Sequence, residues 1–165
     1  MKYVLNEPKV ASESFRHYLR GVKKGGKSTL FRDLILEYYG DPKYGLMIAP
    51  GNETGFKALD RLYAVEALTW EDFCDIVNDL IMNKSENDFK IIAIDTVDEL
   101  ISIAEDKVLK IHYQRKGEKA ASINAALGGY GAGKKTVRKL INDKIKELEN
   151  AGYENNGMPL LCGNI

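Results

Sequence analysis

The sequence is poor in the residues that mark secreted, zinc-binding or membrane proteins. Two cysteines, Cys74 and Cys162, and two histidines stand in 165 residues, too few for a disulfide framework or a metal-ligand cluster, which favours a reducing cytoplasm. No stretch approaches the roughly 18 apolar residues of a membrane span, and residues 1–8 lack the apolar core of a signal peptide. We therefore expect a cytoplasmic protein with no membrane partner.

An excess of charge of one sign is also lacking. The 24 Lys and Arg residues balance the 24 Asp and Glu residues, so no overall basic field predicts nucleic-acid binding, and any such surface must be local. A hydrophobic content of 44% and a charged content of 29% are ordinary for globular proteins and argue against disorder. The length suits one domain with a sizeable core.

One stretch stands out from this ordinary composition. Residues 21–28 read Gly-Val-Lys-Lys-Gly-Gly-Lys-Ser and are followed by Thr29, which matches the phosphate-loop pattern G-x-x-x-x-G-K-[ST] at every required position. Backbone N–H groups of such a loop cradle an anion, the lysine reaches the β- and γ-phosphates, and the hydroxyl ligates Mg²⁺. A plain Gly/Lys turn is the alternative. The predicted nucleotide-binding residues are Gly21, Val22, Lys23, Lys24, Gly25, Gly26, Lys27, Ser28 and Thr29.

The rest of the chain alternates strand and helix patterns. Strands are predicted at residues 14–20, 44–49, 89–94 and 159–162, and helices at 28–37, 57–62, 70–82, 97–115 and 134–150. This alternation predicts an α/β fold of three layers, with a mostly parallel sheet and helices on both faces. Residues 1–13 are predicted to be an N-terminal arm, and residues 14–165 a single nucleotide-binding domain. The strand at 14–20 is unusually polar for one buried on both faces.

Carboxylates follow two of the predicted strands. Asp95 ends the apolar strand at 89–94, and ligands of open parallel sheets bind at that edge. Although any buried strand can end in Asp, this one combines with the phosphate loop to predict Ser28 and Asp95 as Mg²⁺ ligands. Glu53 follows the second strand, where it could orient or deprotonate an attacking water, or be an ordinary exposed loop residue. Asp98 and Glu99 are interpreted as favourable charges at a helix N-terminus.

A second glycine-rich stretch, at residues 128–135, nearly repeats the phosphate-loop pattern. Lys135 stands where the hydroxyl should be, and no buried strand precedes the stretch, so a second nucleotide site is not predicted. Such a loop could instead contact a nucleic-acid backbone and stack a base on Tyr130. A mobile loop ahead of a helix is the alternative. The nearby basic residues His112, Arg115, Lys116 and Lys119 fit a solvated face.

These motifs together resemble the RecA-type ATPases, and more narrowly the small phage-encoded AAA_24-type nucleotide-binding proteins related to RecA-like single-strand annealing recombinases. The resemblance covers about residues 18–152. Besides the phosphate loop it rests on Asn-Glu-Thr-Gly-Phe-Lys-Ala-Leu-Asp at 52–60, Thr-Trp-Glu-Asp-Phe at 69–73, Ile-Asp-Thr-Val-Asp-Glu-Leu at 94–100 and Gly-Tyr-Gly-Ala-Gly at 129–133.

The resemblance implies an ATPase that uses ATP and Mg²⁺ and acts in DNA recombination or single-strand annealing. It implies that Glu53 activates water beside Lys27, and that Asn164 occupies a polar sensor position; these three are the predicted catalytic residues. The implied partners are single-stranded DNA, further copies of the chain and a single-strand-binding protein, in the cytoplasm of a bacterial host.

The chain also departs from that family pattern. The strand before the phosphate loop is more basic than usual, and the strands expected beyond residue 165 are missing, so a C-terminally truncated copy is predicted. This keeps open a nucleotide-gated DNA-binding or assembly module without significant hydrolysis. A small phosphate-loop kinase is a third reading, for which Arg115 and Arg138 would have to form a lid.

Overall fold

The computed structural model describes residues 17–22 and 24–153, and the backbone of residues 160–164. The predicted arm at 1–13 lies outside these residues. The strands are β1 (His17–Gly21), β2 (Gly45–Pro50), β3 (Tyr63–Ala67), β4 (Ile91–Asp95) and β5 (Leu160–Asn164). The helices are α1 (Lys27–Tyr39), α2 (Trp70–Met82), α3 (Val97–Lys116) and α4 (Ala132–Leu148), with single turns at Pro42–Tyr44, Gly55–Ala58, Ala126–Gly128 and Glu149–Tyr153.

The five strands form one sheet in the order β1-β5-β4-β2-β3, and every pair is parallel. The predicted α/β fold with a parallel sheet is therefore confirmed. Every residue of β2 and β4 is buried, as expected of parallel strands covered on both faces, whose sequences are near-continuous apolar runs. Because all strands are parallel, the loops that follow them gather at one edge of the sheet.

Helices cover both faces of the sheet, and the side chains of the central strands alternate between them. Met47, Ile91 and Ala93 pack against α1 through Phe31 and Ile35. The intervening residues Ile48, Ile92 and Ile94 face the other layer, which α2, α3 and α4 build. The predicted three layers are thus present. The residues that these three helices contribute to the core include Phe73, Val77, Leu100, Val108, Val137 and Ile145.

Among the described strands, β1 lies at an edge of the sheet, which explains its polar sequence. It pairs with β5, and its side chains alternate between half-buried and exposed. A strand in this position needs apolar residues only where it faces the helices, so a basic residue such as Arg20 is tolerated on the solvent side.

Strand β3, at the opposite edge, was not predicted from the sequence, and the helix predicted at 57–62 was wrong. The chain forms one short turn at Gly55–Ala58 and then extends into β3, which pairs with β2. Its sequence, Tyr-Ala-Val-Glu-Ala, combines residues common in helices with a single β-branched residue, and only Ala67 is fully buried. Pairing with β2 therefore decides the conformation of this segment, against its weak local preference.

Candidate functional site

The N-terminus of α1 opens at the carboxyl edge of the sheet without a side-chain cap. Gly26 precedes the helix with a φ of 83° and makes no side-chain cap hydrogen bond, and the first turn contains no acidic residue. Gly25 N–H donates to the Val22 carbonyl at 3.0 Å, and a Cβ atom at Gly25 would approach that oxygen to 2.9 Å. Uncapped N–H groups at the positive end of a helix form an anion-binding site.

The side chain of Lys27 lies along this loop. Its Nζ donates to the carbonyl oxygens of Gly21 and Val22, at 3.1 Å each. These bonds hold the ammonium beside the anion site. Lys23, another predicted binding residue, is outside the described residues.

Ser28 and Asp95 meet at the base of the same site. The Ser28 hydroxyl donates to Asp95 Oδ2, and the Asp95 side chain, at the end of β4, is only 4% exposed. Burial and the nearby Glu53 carboxylate raise the pKa of Asp95, while the Ser28 hydrogen bond and the Lys27 charge lower it. Asp95 Oδ1 is buried and has no hydrogen-bond partner within the described part of the chain. A buried carboxylate oxygen without a donor, next to a hydroxyl, fits the oxygen ligands that Mg²⁺ requires.

These groups line one cavity of about 530 Å³, a volume within the range of small-molecule sites. The cavity collects the loops after β1, β2 and β4, as expected at the carboxyl edge of a parallel sheet. Its lining includes the charged and polar side chains of Lys27, Ser28, Glu53 and Asp95, which suit a polyphosphate and a cation. The lining residues are Lys24, Gly25, Gly26, Lys27, Ser28, Thr29, Asn52, Glu53, Thr54, Gly55, Leu59, Asp95, Thr96 and Glu99.

Glu53 is part of this lining. Its Oε1 accepts hydrogen bonds from the backbone N–H groups of Thr54 and Gly55, at 3.1 and 2.9 Å, so its own loop fixes the carboxylate at the rim. The structure thus brings Lys27, Ser28, Glu53 and Asp95 to one cavity. Asn164 ends β5, where its backbone pairs with that of Gly21 at the start of the phosphate loop; its side chain is not among those described.

Glu99 also lines the cavity, and the sequence interpretation missed it. Thr96 Oγ1 accepts from the Glu99 N–H at 3.3 Å, which fits the predicted role at a helix start. The Glu99 carboxylate, however, extends toward the loop after β2, where a side chain at Gly51 would collide with it. The available signal was its place one turn into a helix that begins next to Asp95. The second glycine-rich stretch, 128–135, contributes nothing to this cavity.

Comparison with known proteins adds one match. A family model described as an AAA domain matches residues 14–154, a range that contains the phosphate loop, Glu53 and Asp95. No curated protein is significantly similar to the chain. None of the helices within the described residues is long and apolar enough to cross a bilayer.

Proposed function

Because the chain belongs to the AAA domain family, we propose that it binds ATP with Mg²⁺ at the phosphate-loop cavity and hydrolyses the nucleotide. We further propose that it is a RecA-like protein of phage origin that acts on single-stranded DNA in recombination or annealing, in several copies. The observation that carries the nucleotide site is the Ser28–Asp95 contact beside the uncapped start of α1, where a buried Asp95 oxygen lacks a donor.

The phosphates would bind at the N-terminus of α1. The N–H groups of the first turn would donate to their oxygens, and Lys27 would move from the Gly21 and Val22 carbonyls to the β- and γ-phosphates. Ser28 and Asp95 would hold Mg²⁺, which neutralises charge that develops on the transferred phosphoryl group. Ser28 and Asp95 are fixed to a helix start and a strand end, so these two residues need little reorganisation.

Glu53 is the residue we assign to the attacking water. Two backbone N–H groups occupy its Oε1, which leaves Oε2 to accept a hydrogen bond from a water in the cavity. A carboxylate in that position can orient the water and receive its proton.

The test is ATP binding and hydrolysis by the purified protein with Mg²⁺, with and without single-stranded DNA. We expect Lys27→Ala to lose ATP binding. Glu53→Gln should bind ATP and hydrolyse it about 10²–10⁴-fold more slowly, the usual contribution of a general base. Glu99→Gln is the matched control, since it changes another carboxylate of the same cavity, and it should be impaired less. Wild-type ATP affinity in Lys27→Ala would refute the proposed site.

A nucleotide-gated module without significant hydrolysis is the second candidate. The observation that favours it is that Ser28 and Asp95 meet each other directly beside the start of α1, whereas the Glu53 carboxylate accepts hydrogen bonds from its own loop, so nucleotide binding does not depend on Glu53. Tight ATP binding with no phosphate release, with or without DNA, would establish this function. DNA-stimulated release that Glu53→Gln abolishes would establish the ATPase.

A further inference from the structure

Basic residues are concentrated in the stretch that runs from the second half of α3 into the first half of α4. Residues 107–139, which we call the basic end, contain nine Lys and Arg residues and one acidic residue, Glu118, although the chain as a whole is neutral. They comprise the second half of α3, the connection that follows it and the first half of α4. The two helices pack against each other, and the turn Ala126–Gly128 packs against both. Lys134 and Arg138 line a groove with Ile101 and Glu105, and Lys110 and Lys119 line a second one with Asp106, so the basic residues form two groups in space.

These charges are largely uncompensated. Eight of the nine side chains are exposed, and the ninth, Lys107, is half-buried and pairs with Glu71. Across residues 24–153, no other ion pair involves the basic end. A cluster of exposed unpaired cations attracts a polyanion. The exposed residues are Lys110, Arg115, Lys116, Lys119, Lys134, Lys135, Arg138 and Lys139.

Helix stability does not account for the lysines that begin α4. Lys134 and Lys135 lie in its first turn, which contains no acidic residue and has no side-chain cap. Positive charge at the positive end of a helix is unfavourable. Their position is better explained by a negatively charged ligand.

Tyr130 lies in the same stretch of the chain, and its backbone has a conformation that is unfavourable for a tyrosine. Its side chain is fully exposed, at 104% of the reference value, and its φ is 49°. It stands in a run from Leu127 to Gly131 in which every φ is positive, at 56, 105, 79, 49 and 75°. A tyrosine is strained in this region of backbone space, and full exposure gives its ring no packing.

The loop that carries Tyr130 is nonetheless anchored to the helices. The Leu127 N–H donates to Nδ1 of the buried His112 at 2.9 Å, and the Ala132 N–H donates to the Gly129 carbonyl at 2.9 Å. Gly133 packs so closely on the backbone oxygen of Ile123 that a side chain would collide with it. The backbone of this loop is therefore held in place, and the Tyr130 side chain projects from it into solvent.

We propose that the basic end binds single-stranded nucleic acid, with one base stacked on the Tyr130 ring and phosphates neutralised by Lys134, Lys135 and neighbouring cations. Exposed aromatic rings beside a basic track are the means by which proteins hold single strands, whose bases are free to stack. The inference rests on the proposed function only for the class of partner, and it specifies the surface that this partner contacts.

This surface shares no lining residue with the phosphate-loop cavity. Lys134 and Arg138 line a groove with Val97, Ile101 and Glu105, so the surface adjoins the half of α3 from which Glu99 reaches the cavity. We expect nucleic-acid binding without a bound nucleotide, because no basic residue of this surface lines the cavity.

The test is fluorescence anisotropy of labelled oligothymidylate and oligouridylate, without nucleotide and over a series of salt concentrations. Tyr130→Gly should weaken binding about 5- to 150-fold, the range supplied by one stacked base, while its melting temperature rises because the strain is relieved. Tyr130→Phe should bind like wild type. Replacing Lys134 and Lys135 with Ala should lower the slope of log affinity against log salt by about 0.7 for each phosphate that these lysines neutralise in the wild type.

Controls separate this proposal from the nucleotide site. Tyr38→Ala removes another exposed tyrosine and Lys146→Ala another exposed lysine, both outside the basic end, and both should bind normally. Lys27→Ala should also bind normally, so a failure of the ATP site would leave this result unaffected. Unchanged affinity in Tyr130→Gly, or equal affinity for duplex DNA or an acidic peptide, would overturn the proposal. Tighter binding of the oligouridylate than of the oligothymidylate would support the proposed surface and argue against a role in DNA recombination.

Discussion

In the nucleotide-free protein, the buried carboxyl group of Asp95 should lower the free energy of unfolding. Its pKa is raised chiefly by burial, so above about pH 4 the folded state binds more protons than the unfolded state, and the free energy of unfolding falls as pH rises through the raised pKa. We expect Asp95→Asn to raise the free energy of unfolding at neutral pH by about 1 kcal/mol and to remove this part of the pH dependence. Urea denaturation over a pH series measures both.

The same variant should lose function, which separates the two roles of the carboxylate. Without a charged oxygen beside Ser28, the Mg²⁺-dependent part of the ATP affinity should disappear. Ser28→Ala is the matched control, because it keeps the buried charge and removes its donor, and it should destabilise the protein. A destabilised Asp95→Asn would mean that the carboxylate has favourable contacts in the folded state.

How well single residues could be predicted depended on whether the backbone alone places them. Lys27, Ser28 and Asp95 reach one cavity because the loop pattern and a strand end fix their positions. Glu99 could not be predicted, since its direction depends on the absence of a side chain at Gly51, on a different loop. Tyr130 was proposed to stack a base, but its strained backbone and full exposure are visible only in three dimensions.

At the scale of elements, the capping box of α2 gives a direct test. Thr69 Oγ1 accepts from the Asp72 N–H at 3.1 Å, and Asp72 Oδ2 accepts from the Thr69 N–H at 2.9 Å. Thr69→Ala should lower the free energy of unfolding by about 1 kcal/mol, measured by chemical denaturation.

The start of α3 supplies the comparison for that variant. Thr96 caps the Glu99 N–H, but the Glu99 carboxylate faces the cavity and returns no bond to the helix start. Because Thr96 is buried, Thr96→Ala also removes packing, so the two caps are compared by coupling energies and not by the cost of the single variants. In a double-mutant cycle, Thr69→Ala and Asp72→Ala should show a coupling energy; purely additive effects would argue against reciprocal capping.

The two central strands were predictable and the two edge strands much less so, for a common physical reason. Strands β2 and β4 are buried on both faces, which demands continuous apolar sequence. Strands β1 and β3 are covered less completely, so hydrophobicity constrains them weakly and pairing with a neighbour decides their conformation. The strand order β1-β5-β4-β2-β3 had no local signal at all, because it is set by how the crossovers pack.

At the scale of the whole molecule, α3 connects two surfaces of opposite character. Its first turn contributes Glu99 to the cavity that receives an anion and a cation, and its last turns belong to the basic end. Zero net charge therefore conceals a strongly uneven distribution. Composition alone excluded only an overall basic field, and it did not reveal that residues 107–139 contain nine basic residues and one acidic residue.

The two surfaces should respond to their ligands separately. Mg²⁺ and ATP at 100 times the dissociation constant should stabilise the protein by about 2.7 kcal/mol, which is roughly 5–10 °C in melting temperature for a chain of this size. Tyr130→Gly should keep this shift in a thermal denaturation assay, and Lys27→Ala should lose it. If the surfaces are independent, the stabilisation by an oligothymidylate adds to that by ATP. A combined shift that differs from the sum would show coupling across α3, and the effect of each ligand on the affinity of the other would then have to be equal.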